Sequence, residues 1–179
     1  PFINQSTIQY HSGSGIKMDS HESANDTAKI KITNNTISNN TAGTEGGNDG
    51  GGLYLYGYGE VTISNNIISN NSASNGGGIK SNAYNVTISN NRIENNIAQQ
   101  RNPDGVQLST GGGISLGTPS HQVINNVIKG NQAREGGGID GDRSTYTGNT
   151  IVGNTGGGFY DDSGSGTFSS NYVIKNTGD

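Results

Sequence analysis

The 179-residue chain contains no cysteine, only ten Lys plus Arg, and only 27% hydrophobic and 13% charged residues. Each shortage excludes something. Without cysteine there are no disulfides and no thiolate metal sites. No run of 18 or more apolar residues occurs, so the chain does not span a membrane as a helix. The formal net charge of −4 and the few basic residues argue against nucleic acid as the main partner. No signal peptide is visible, and a chain opening at Pro1 reads as a mature, trimmed or excised piece. No helix of useful length can be drawn, because β-branched residues, Gly and Asn interrupt every window.

What fills the chain is glycine, 31 residues, together with Asn, Ser and Thr. Low hydrophobicity predicts disorder when net charge is high, and here it is not. A chain this poor in apolar residues still folds if it repeats, because each repeat buries a small core against its neighbours.

It does repeat. Ile32-Thr-Asn-Asn35-Thr-Ile37-Ser-Asn-Asn40 returns as Ile63-Ser-Asn-Asn66-Ile-Ile68-Ser-Asn-Asn71 and as Ile88-Ser-Asn-Asn91-Arg-Ile93-Glu-Asn-Asn96. Looser copies end in Asn126 and Asn131, Asn149 and Asn154, and Asn171 and Asn176. A degenerate copy opens the chain, with Ile3, Ser6, Ile8 and His11 in the matching places. Between copies, glycines lead an apolar residue: Gly50-Gly-Gly-Leu53, Gly76-Gly-Gly-Ile79, Gly111-Gly-Gly-Ile114, Gly136-Gly-Gly-Ile139 and Gly156-Gly-Gly-Phe159, with Gly13-Ser-Gly-Ile16 a weaker version. Each repeat thus holds three short strand candidates separated by Gly or Asn.

The period decides the architecture. Asn66 to Asn91 is 25 residues, Asn126 to Asn149 is 23 and Asn149 to Asn171 is 22. Three strands and three turns consume about that many at roughly 3.3 Å per residue. The expectation is a single all-β domain over 1–179, a right-handed parallel β-helix of six full coils and one degenerate coil at the start. The longer intervals need insertions, at Thr41–Asp49 and Ile97–Thr110, protruding from one edge of the stack.

The asparagines suit the sharp bends, since Asn tolerates positive φ best after Gly. Stacking also sets like amides roughly 4.8 Å apart, where they bond up and down the stack. Two ladders are predicted, one through Asn35, Asn66, Asn91, Asn126, Asn149 and Asn171, the other through Asn40, Asn71, Asn96, Asn131, Asn154 and Asn176.

This alternation of Gly-Gly-Gly-Ile and Phe/Ile-x-x-Asn resembles the parallel β-helix repeats of the pectate-lyase-like superfamily. It is especially similar to the repeats of polymorphic outer membrane proteins and related autotransporter passengers, and Phe168-Ser-Ser-Asn171 fits their second motif directly. The resemblance covers almost the whole chain. It implies an extracellular or cell-surface location in a bacterium, and it leaves function open, because the superfamily spans lyases, hydrolases, epimerases, adhesins and phage tailspikes.

Strand parity turns two columns outward on the glycine-led strand: Lys17, Tyr54, Lys80, Ser115, Asp140 and Tyr160, then Asp19, Tyr56, Asn82, Gly117, Asp142 and Asp162. By resemblance this is the face where polysaccharide-active β-helices keep their sites. Asp140, Asp142 and Asp162 could bind Ca²⁺ through hard oxygen ligands. With Lys80 or Arg143 they could support β-elimination from a uronate, or serve as acid and base of a glycosidase. They could equally be solvated turn residues. Asp161 faces inward by parity, and the Asp161-Asp162 pair has no matching Gly-His-Gly or Arg-x-Lys downstream.

Tyr54, Tyr56, Tyr58, Tyr84 and Tyr160 either stack on sugars or pack against one another across coils. His11, His21 and His121 lack metal-ligand spacing and read as surface or turn residues. Thr62/Ser64, Thr87/Ser89, Thr145/Thr147 and Thr167/Ser169 face out, but Lys31/Thr33 and Gln122/Ile124 break the array that ice binding would need. The Asn-x-Ser/Thr triplets, such as those at Asn34 and Asn85, follow from composition, and several would consume ladder asparagines. No capping helix is seen at either end, so the chain is expected to be part of a longer β-helix or to stack end to end.

Two functions stay open. One is a non-enzymatic surface or adhesive module that requires no cofactor and binds polysaccharide or an assembly partner. The other is a lyase or glycosidase acting on an acidic polysaccharide at the Asp140, Asp142 and Asp162 face, with Ca²⁺ as its cofactor.

Overall fold

The computed structural model describes residues 1–20, 29–43, 49–99, 105–106, 108–161 and 163–178. Among them there is no helix. The chain visits three parallel sheets in turn and returns to each one coil further on. The first sheet has seven strands, from Phe2–Asn4 through Lys29–Thr33, Glu60–Ser64, Val86–Ser89, Gln122–Ile124 and Thr145–Thr147 to Thr167–Ser169. The second also has seven, from Thr7–Gln9 to Tyr172–Ile174. The third carries the six glycine-led strands, Ile16–Ser20, Leu53–Gly57, Ile79–Ala83, Ile114–Leu116, Ile139–Gly141 and Phe159–Asp161. A short pair, Ser72–Ala73 with Ile97–Ala98, adds a fourth side to two coils.

The register stacks like on like. Ile63 pairs with Ile88, Ile68 with Ile93, and Leu53 with Ile79. Ile37, Ile63, Ile68, Ile88, Ile93, Ile114, Ile139 and Ile151 are fully buried. Only apolar columns this regular let so few hydrophobic residues close a core, at about 25 cal/mol per Å² of apolar surface removed from water. The last coil differs: Phe168 and Val173 hold the places of Tyr146 and Ile151 yet are 43% and 45% exposed.

Both ladders form as expected. Asn66 donates from Nδ2 to Asn91 Oδ1 at 3.0 Å and to the Ile32 carbonyl at 2.8 Å. Asn71 makes the same pair with Asn96 and Ile37. The ten ladder members from Asn35 to Asn154 are at most 2% exposed. At the start, the N–H groups of Ser6 and His11 donate to Asn35 and Asn40 in place of an amide.

The bends correct the sequence reading. Positive φ belongs not to the ladder residue but to the one before it: Asn34, Asn39, Asn65, Asn70, Asn90, Asn95 and Asn125, with φ of 55–58°. In later coils Gly130, Gly148 and Gly153 take that place. The first asparagine of each pair turns the chain and the second fills the ladder. The triplet acceptors Asn34 and Asn85 are therefore exposed turn residues, and glycosylation there would not consume the ladder.

The glycine triplets have two causes. Gly76 sits at φ +60, and a Cβ on Gly78 would stand 2.5 Å from the Gly113 carbonyl oxygen of the next coil. The insertions are shorter than their sequence bounds, since Thr41 bridges to Ser72 and Ile97–Ala98 is a strand. They do share one edge: Asn75 donates to Asp49 and accepts from the Thr110 N–H, stacking the ends of both insertions at one corner.

Candidate functional site

The outward column of the third sheet stands in the expected register. Lys17, Tyr54, Lys80, Ser115, Asp140 and Tyr160 are successive partners. Lys17 places its ammonium 5.6 Å from the centre of the Tyr54 ring, a cation–π contact. Further along, Lys80 Nζ donates to Ser115 Oγ at 2.9 Å, and Ser115 Oγ donates to Asp140 Oδ2 at 2.9 Å. Ser115 points outward yet is fully buried, roofed by those partners and by Thr110 Oγ1 at 3.4 Å. The sequence did not single it out. Burial pushes the Asp140 carboxyl up, against hydrogen bonds from Thr110 and Ser115 and the pull of Lys80.

The other acids lie apart. Asp142 Oδ1 meets Arg143 Nε at 3.1 Å, with the arginine exposed. Asp161 holds the inward register of Gly141, as parity predicts. Its carboxylate caps the 163–166 turn, accepting the Ser163 hydroxyl and the N–H groups of Ser163, Gly164 and Gly166, which hold its pKa down. Asp162 lies outside the described residues. Among the described residues, no three His, Asp or Glu side chains are grouped to hold a metal ion.

The tyrosines converge better. Tyr56, Gly57, Tyr58, Asn82, Tyr84, Gly117 and Thr118 line an open groove of about 470 Å³. Tyr58 and Tyr84 stack across adjacent coils, with ring centres 5.1 Å apart and planes 6° from parallel. The three rings remain 37–43% exposed. Gly117 has no side chain, and the Asn82 amide fills the space outside it: a Cβ there would collide with Asn82 Oδ1.

One groove residue leads into the core. Thr118 Oγ1 donates to the Ala83 carbonyl at 2.7 Å and lies 3.0 Å from His121 Nε2. His121 is not a surface residue. It is 1% exposed and stands one place before the Thr87–Gln122 pair, opposite Val86. That position follows Val61 and Val86 in an inward column. Counting two residues back from Val123 reveals it in the sequence. His21 lies outside the described residues.

A family model for the right-handed beta helix region matches residues 1–178. The chain belongs to that family. Neither a curated protein nor a solved structure matches it. The β-helix accounts for the asparagines, glycines and isoleucines as scaffold. Among the described residues, the outer face of the third sheet carries two features beyond the scaffold: an ionic line bridged by a buried serine, and an aromatic groove. Among the described residues no charged side chain lines that groove, and its volume falls within the usual range for ligand sites, about 300–1,000 Å³. No helix among the described residues is long and apolar enough to cross a membrane.

Proposed function

We propose that this β-helix is a non-enzymatic module of the cell exterior that binds a neutral polysaccharide in the Tyr56, Tyr58 and Tyr84 groove. The stacked, half-open Tyr58–Tyr84 pair carries the reading. Flat rings take the apolar faces of sugar rings, and amphipathic side chains such as tyrosine suit a surface that is partly wet. Asn82 and Thr118 supply polar groups at the groove edge, as sugar hydroxyls require. The described lining residues are uncharged, which favours a neutral glycan over an acidic one. The similarity of the repeats to those of outer membrane proteins and autotransporter passengers supports the bacterial surface as the location. Calorimetric titration with neutral hexasaccharides (cellohexaose, xylohexaose, chitohexaose) tests the reading. Binding that weakens at least about tenfold in Tyr84→Ala supports it, on the scale of one aromatic contact. Equal affinity of the wild type and Tyr84→Ala, or no binding, contradicts it.

A second reading has one observation in its favour. Asp140 is pushed up by burial, the direction a general acid needs, and Lys80 acts on it from the same face. Cleavage of polygalacturonate or alginate, with or without Ca²⁺, that disappears in Asp140→Asn would establish it and sink the non-enzymatic one.

A further inference from the structure

We propose that His121 is a positioning residue for the aromatic groove, holding the Thr118 wall in place only while its imidazole is uncharged, so that acid loosens the groove. The inference rests on the groove being the binding site. Thr118 has one hydroxyl proton, and it goes to the Ala83 carbonyl at 2.7 Å. The contact at 3.0 Å therefore runs the other way, with His121 Nε2–H donating to Thr118 Oγ1. That fixes the tautomer and leaves Nδ1 bare. Nδ1 is buried and has no hydrogen-bond partner.

The reason is the column in which the ring stands. Val61 and Val86 occupy the same inward place on the two preceding coils, so His121 stands where the repeat puts an apolar side chain. Ser144, on the next coil, spends its hydroxyl oxygen on the His121 backbone N–H at 3.1 Å. The Thr118 backbone favours the charged ring, but Nδ1 itself has no partner, and a poorly compensated buried charge is costly.

Among the described residues, the ionisable groups around this corner are few. Asp142 and Arg143 lie on the following coil, paired with each other at 3.1 Å. The Tyr146 hydroxyl is bound to the Asp142 backbone. On the preceding coils, Tyr84 lines the aromatic groove, and Glu60 shares a second groove with Ser120. Burial pulls the His121 pKa down to about 4, against the opposing charge of Asp142 and a hydrogen bond with the Thr118 backbone. Once charged, the imidazole gains by leaving the column toward Asp142, and leaving it breaks the bond to Thr118. Thr118 is then held by Ala83 alone, and the wall formed by Gly117 and Thr118 loosens beside Tyr84.

The test separates this coupling from the sugar-binding reading. The free protein is titrated from about pH 7 to about pH 3.5, with the His121 imidazole and the Thr118 methyl followed by NMR and the fold by circular dichroism. The same titration is run on His121→Val, which restores the residue of the two preceding coils. The Thr118 methyl is expected to move with His121 in the wild type and to stay still in His121→Val. Cellohexaose affinity is expected to fall at least about tenfold across that transition in the wild type and less than about twofold in the variant. A Thr118 signal that stays flat while His121 titrates, or that moves equally in His121→Val, overturns the inference. If no sugar binds at any pH, the binding reading fails, and the Thr118 signal still decides the coupling.

Discussion

Asn91 accepts two hydrogen bonds at one side-chain oxygen, from the backbone N–H of Asn66 at 2.9 Å and from its Nδ2 at 3.0 Å. Asn66 stands 25 residues away in sequence and one coil away in space. The same fork recurs along both ladders, so each amide satisfies a buried backbone donor of the coil before it.

That fork separates two adjacent asparagines. Asn65 holds φ +57 and is exposed, whereas Asn66 is buried in the ladder. Asn65→Gly is expected to change stability by less than about 0.5 kcal/mol, because glycine accepts positive φ freely. Asn66→Gly removes the acceptor for Asn35 and one donor to Ile32, and is expected to cost at least about 2 kcal/mol. Thermal melts of the two variants check this, with a fall of at least about 4 °C expected for Asn66→Gly alone.

Ser115 bridges Lys80 and Asp140 across three coils, and removing the bridge differs from removing its end. Ser115→Ala leaves a half-buried carboxylate with Thr110 but without one of its two hydroxyl donors, and is expected to cost about 1–3 kcal/mol. Asp140→Asn keeps an acceptor for Ser115 and sheds the charge that burial disfavours. It is expected to cost less than about 1 kcal/mol. Urea unfolding of both variants at neutral pH gives the comparison.

The buried histidine makes stability depend on pH. Its folded pKa, about 4, lies below the ordinary value of 6.5. Between those values the unfolded chain takes up a proton that the folded chain refuses. The His121 contribution is therefore unpenalised above about pH 6.5 and falls as pH drops toward about 4, by about 3 kcal/mol in total. Below about 4 both states carry the proton and this loss stops growing. His121→Val is expected to flatten that part of the profile, read as unfolding free energy at steps from pH 7 to pH 4.

The coil count, the sheets, the outward columns and both ladders were legible in the sequence, because identical residues recur wherever identical surroundings recur. The Asn34-Asn35 pair was only half legible. Two like residues side by side conceal a division of labour that φ alone reveals. Ser115 and His121 were missed for related reasons. His121 is the odd member of a valine column, and a search for recurrence passes over the place where recurrence breaks; Ser115 stands in an outward column of unlike residues, where sequence does not show which member is buried. Column breaks also mark the site: His121 replaces Val61 and Val86 beside the groove residue Thr118.

The central claim is that the exposed rings beside these breaks receive a neutral sugar. A crystal structure of the chain grown with cellohexaose tests it most directly. The account predicts a pyranose ring lying flat on Tyr58 or Tyr84, its hydroxyls within hydrogen-bond reach of Asn82 and Thr118. An empty groove, with sugar instead along Lys80, Ser115 and Asp140 or nowhere on the third sheet, would contradict it.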